Sequence, residues 1–161
     1  MALTATLLLL RLFLAYEWLN AGTSKVEAIL ASPQGFFQSL GGMFAAWAET
    51  NPYPFMVDFL TGALIPNVGT VVTLVTVAEV TIGVIMVVGF FVRGGAALGI
   101  FLNVVFFLAA GTFHFPAGLI FAMIAAQVAL FASSGGRFLG VDGLMRARLA
   151  PKLNGAISWL I

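Results

Sequence analysis

The sequence predicts an all-α membrane protein: a bundle of four transmembrane helices with one long outer loop that contains interfacial helices. Three observations lead there. Of 161 residues, 61% are hydrophobic and 8% charged, whereas a soluble domain carries roughly a quarter charged residues. Too little polar surface exists to cover a water-facing globule. At about 20 residues per crossing, the length holds four spans, one sizeable loop and a single domain. The basic residues then fall unevenly on the two sides of such a bundle, as membrane topology requires.

The first span covers about 3–22. Its apolar start, followed by Ala21-Gly22, has the outline of a secretory signal. However, no positive residue precedes the run and Arg11 falls inside it, so it reads as a membrane helix that is kept. The second span, about 68–92, is rich in Val, Thr and Ile. The third covers about 95–112, and the fourth about 116–133, opened by Pro116 where no amide donor is required. Four spans place both termini on one side, with Arg93, Arg137, Arg146, Arg148 and Lys152. The other side holds Lys25. The positive-inside rule makes the termini cytoplasmic, and the membrane is expected to be the plasma membrane of the cell.

The outer loop, 23–67, is too aromatic for a disordered linker: Phe36, Phe37, Phe44, Trp47, Tyr53, Phe55 and Phe59 are spread along it. Residues 34–50 have an apolar helical spacing. Asn51-Pro52-Tyr53-Pro54 breaks it before a second short helix ending near Pro66. Such a segment is either an aromatic anchor at the interface or a lid over a lipophilic ligand. The tail, 135–161, alternates basic and apolar residues, as an interfacial helix on an anionic leaflet does.

Each span carries a polar residue near its middle. Counted from the span ends, Arg11 lies roughly 12 Å deep and Glu79 roughly 16 Å deep from the opposite side. Asn103 and Gln127 fall within about one turn of the same level. A lone charge there costs about 3 kcal/mol or more, so Arg11 and Glu79 are expected to pair. The layer reads as a packing clamp, or as a ligand site or proton relay. A second polar cluster, Glu17, Asn20 and Lys25, lies below the outer loop, and His114 reaches the same side. His114 also has the plainer reading of a solvated or capping residue, and Glu17 near Lys25 that of an interfacial ion pair.

Several functions are excluded. A net charge of +1 with no basic run gives no footprint for nucleic acid. With no cysteine and one histidine, this chain alone ligates no iron–sulfur cluster, thiolate metal or bis-histidine haem. The expected metal set is empty.

Two stretches carry a pattern: Leu10-Arg11 followed by Glu17-Trp18, Gly22 and Lys25, and Ser134-Gly135-Gly136-Arg137-Phe138-Leu139-Gly140-Val141-Asp142. Between them stand Asn67, Ala78-Glu79, Gly83, Gly89 and Arg93. In order and spacing this resembles the DoxD and DoxX membrane proteins over nearly the whole chain. Its members are four-helix proteins, and DoxD is a subunit of thiosulfate:quinone oxidoreductase, paired with a second membrane-anchored subunit. The resemblance implies a quinone-linked redox subunit that passes electrons from thiosulfate or another sulfur donor, with quinone as the ligand and another membrane subunit and the bilayer as partners. Combined with the outer cluster, it makes Glu17, Lys25 and His114 candidate catalytic residues, and Glu17, Trp18, Lys25 and Trp47 candidate quinone contacts. A different class of function stays open, that of a non-catalytic subunit stabilising a larger redox complex. The scarcity of redox-capable side chains favours it. A small transporter is a weaker third reading, since the four spans show no inverted halves.

Overall fold

The computed structural model describes residues 2–111, 117–133 and 139–149. Among them there are helices and no strands. The elements are α1 (Ala2–Ala31), α2 (Pro33–Thr50), α3 (Pro54–Phe59), α4 (Val68–Val88), α5 (Val92–Ala110), α6 (Ala117–Ser133) and α7 (Val141–Leu149). Helices α1, α4, α5 and α6 form the bundle, with α1 packed most closely on α4 and α5 on α6. Leu3–Ala31, Pro54–Val88 and Val92–Ala110 are long and apolar enough to cross a membrane, and α6 is a shorter apolar helix. At 17 residues, α6 sits at the lower limit of a crossing. Large apolar side chains such as Leu9, Leu74, Val77 and Phe101 are exposed. The bundle is therefore apolar on its outside as well as its inside, which suits lipid and not water.

Three helix boundaries differ from the sequence reading. The first helix continues nine residues past Gly22 to Ala31, because nothing between them breaks it. Ser32 and Pro33 do, and Pro33 then opens α2. The second short helix of the loop does not stop near Pro66. It runs through a π-helical turn (Leu60–Leu64) and a 3-10 turn (Ile65–Asn67) directly into α4. The Ile65 amide reaches back five residues to the Leu60 carbonyl, and Asn67 Nδ2 donates to the Ala63 carbonyl at 2.9 Å. The helical path thus passes the missing amide of Pro66 without a break. Finally, the turn between the second and third bundle helices lies at 89–91 instead of 93–94. Gly89 takes a left-handed conformation (φ 68°) to end α4, and Arg93 falls in the first turn of α5, buried.

Two apolar clusters hold the bundle. The larger one joins Leu14 and Trp18 of α1, Ile82 and Met86 of α4, Val92 and Leu102 of α5, and Leu130 of α6. The smaller joins Met56, Leu60, Leu64 and Ala109, with Phe44, Trp47 and Tyr53 packed against it. This second cluster seats the loop helices on the bundle. Asn51 strengthens that seat: its Nδ2 donates to the Leu108 and Ala109 carbonyls at 3.0 and 2.9 Å, and its Oδ1 accepts from the Tyr53 amide. Two orphan carbonyls at the end of α5 are thereby satisfied.

A cavity under the second helix

The geometry of the site begins with two glycines. A Cβ on Gly22 would lie 2.7 Å from Val80 Cγ2 and 3.0 Å from the Val80 amide. One on Gly83 would lie 2.6 Å from Leu19 Cγ. With hydrogen at both positions, α1 and α4 cross nearly backbone to backbone, the small-residue packing that joins helices in lipid. Lys25 follows Gly22 by one turn, and the close crossing lets it reach over α4. Its Nζ lies 2.8 Å from Glu79 Oε1 and 2.7 Å from Oε2. The Glu79 side chain is 1% exposed and that of Lys25 28%. A buried carboxylate is tolerable only with such a partner.

The expected pair of Arg11 and Glu79 is therefore not made. The α1/α4 register explains why: Leu19 faces Gly83, and Arg11 lies against Gly89, about 15 Å further along α4 than Glu79. The sequence count measured Arg11 from the start of the first span and Glu79 from an outer end at Val68, whereas α1 runs on to Ala31 and the helical path of α4 begins already at Pro54, so the two depths do not coincide. The Arg11 guanidinium instead donates to the Leu139 carbonyl at 3.1 Å and feels the charge of Asp142. Asp142 accepts from the Phe91 and Val92 amides at 2.7 and 3.1 Å, and its own amide donates to the Gly89 carbonyl. Through Asp142, α7 thus inserts a carboxylate into the α4–α5 turn and caps α5. Asn103 and Gln127 do meet, with Asn103 Nδ2 donating to Gln127 Oε1 at 3.2 Å. Gln127 and the Trp18 ring both lie over Gly99. Arg11, Glu79 and the Asn103–Gln127 pair thus lie at three separate places along the bundle and form no single layer.

Beside the Lys25–Glu79 pair opens an apolar cavity of about 180 Å³. The amphipathic helix α2 roofs it with Leu40, Met43, Phe44 and Trp47, while α4 and α5 supply its walls through residues such as Val72 and Phe106. Lys25 is the one charged side chain among the described residues lining it. Of the residues proposed from sequence, Lys25 and Trp47 line this cavity. Trp18 is instead buried in the larger core, and half-buried Glu17 is not part of the lining. His114 lies outside the described residues, as do Arg137 and Lys152. Sequence reasoning missed Glu79 as the partner of Lys25. The signal was present in the spacing of Gly22 to Lys25 and of Glu79 to Gly83, which places each charge one turn from a contact glycine. Among the described residues, no cluster of His, Cys, Asp or Glu offers a metal site.

Compared with known families, residues 6–161 match the model described as TQO small subunit DoxD. No curated protein and no solved structure matches the chain.

Proposed function

The chain belongs to the DoxD family, and from that premise we propose that it is the membrane subunit of a thiosulfate:quinone oxidoreductase complex and holds the quinone ring in the cavity beneath α2. One observation carries the reading: an apolar pocket roofed by Phe44 and Trp47 has a single charged side chain, Lys25, among its described lining residues. A quinone is the matching chemistry, a flat apolar ring whose carbonyl oxygens accept hydrogen bonds. Because Glu79 already neutralises Lys25, the floor is close to neutral in charge and suits a neutral acceptor better than an anion.

The partner subunit supplies the site for the sulfur donor, from which electrons pass to the quinone. The excess of Lys and Arg near the Arg11 end orients that end toward the cytoplasm of the cell membrane, and the roof α2 toward the outside, where a water-soluble donor arrives. Photolabelling the native complex in its membrane with an azidoquinone checks both statements. Label is expected on peptides spanning 40–47 and 71–75, and a cysteine replacing Gln38 should react with an impermeant reagent from outside. Label confined to the partner subunit would leave this chain an accessory that stabilises the complex.

A further inference from the structure

An ammonium group has three N–H donors. Lys25 spends two on the oxygens of Glu79, at 2.8 and 2.7 Å, and its side chain also lines the cavity. One donor is left over beside the cavity, whose surround is apolar and where a carbonyl oxygen is its best acceptor. We infer that Lys25 is the proton donor to the bound quinone and that Glu79 is the group that restores its charge. The inference rests on the quinone reading of the cavity.

The step balances as follows. Two electrons arrive from the sulfur donor at the partner's site, where two thiosulfate-class anions each lose one as a new S–S bond forms. As they enter the quinone, an N–H bond of Lys25 breaks and an O–H bond forms on the facing carbonyl oxygen. The second proton reaches the other oxygen from water, giving the quinol. The neutral amine left behind exposes the Glu79 carboxylate, 1% accessible, as an unpaired buried charge. That state is costly, so proton return to Lys25 is strongly favoured. The returning proton comes from water at the outer face, the side on which Lys25 stands in this reading. Quinol then leaves from a site whose donor is already reloaded.

The test uses the native complex. Lys25→Arg keeps a cation beside Glu79 but cannot release a proton. It should retain azidoquinone labelling of 40–47 while quinone reduction falls on the order of 100-fold, the span of general acid catalysis. Lys25→Ala, with small alkylamines of graded basicity added, should regain turnover at rates that follow the acidity of the added ammonium. A labelled Lys25→Arg complex that turns over at the unsubstituted rate, or rescue independent of amine acidity, would overturn proton donation and leave the quinone site standing. Absence of label from this chain in the unsubstituted complex would instead remove the quinone reading itself. Both variants leave the Gly22 and Gly83 crossing untouched. Should Lys25→Arg fail to assemble, the amine series decides.

Discussion

The two ends of the α1–α4 pair both bury charge, and they use it in opposite ways. At the Arg11 end, Asp142 gives its carboxylate to two backbone amides, its own amide is taken by Gly89, and Arg11 bonds the Leu139 carbonyl. Those bonds join α1, the α4–α5 turn and α7 into one knot. At the Lys25 end, the ion pair bonds side chain to side chain, spares the backbone and borders an open cavity. A buried charge by itself therefore says little about function. What separates the ends is whether the charged groups bond the chain's own backbone or pair with each other beside space that a ligand can fill.

The largest test of this contrast is Asp142→Ala. It strips the acceptor from the Phe91 and Val92 amides and the nearby negative charge from Arg11, a loss of about 3 to 5 kcal/mol for a buried network with one partner removed. Detergent unfolding of the purified complex should show the loss, while quinone reduction per folded complex stays near its unsubstituted value. A fall in turnover as large as the fall in stability would show that the two ends act as one unit, and the contrast would fail.

The fold was legible where composition and periodicity decide it. Four apolar stretches, the amphipathic run at 34–50 and the break at Asn51-Pro52 all follow from local sequence, and α2 ends at Thr50 as that break requires. Register was not legible. The depth of Arg11 relative to Glu79 depends on how far α1 extends and where it crosses α4, and the crossing is fixed by contact between Gly22 and Gly83 and their opposite helices. A count from the span ends has no access to that contact. The cavity was half legible for the same reason. Lys25 and Trp47 stand out by chemistry, but aliphatic lining residues such as Val72 and Leu102 look like any other core residue until the helices are assembled.

Gly22→Ala aims at the Lys25 end alone. The added methyl would sit 2.7 Å from Val80 Cγ2 and 3.0 Å from the Val80 amide, and backbone does not yield as a flexible side chain does. Separating the helices there costs about 2 kcal/mol by overpacking. The effect should reach the ion pair one turn away, lowering both stability and quinone reduction, whereas the contacts of Asp142 remain. Retained turnover in Gly22→Ala would mean that the close crossing is not what brings Lys25 to Glu79.

Asn51→Ala is the mildest intervention and separates the roof of the cavity from its floor. Asn51 does not line the cavity, and it meets the lining only through the backbone carbonyl of Ala109. It ties the loop between α2 and α3 to the last turn of α5 through the Leu108 and Ala109 carbonyls. Trp47 and Phe44, which roof the cavity, belong to the apolar cluster that this tie closes. Without the amide, the two carbonyls can turn to water or lipid headgroups at the helix end, so the loss is that of ordinary hydrogen bonds, about 1 kcal/mol. If that energy holds α2 closed over a bound ring, it should appear as weaker quinone binding of roughly fivefold, since 1.4 kcal/mol corresponds to tenfold. The chemistry at Lys25 should be untouched, so the Michaelis constant for quinone rises while the maximal rate stays unchanged. A fall in maximal rate with an unchanged Michaelis constant would place the effect of Asn51 on the reacting end, and α2 would no longer count as a roof that works by closing over the ligand.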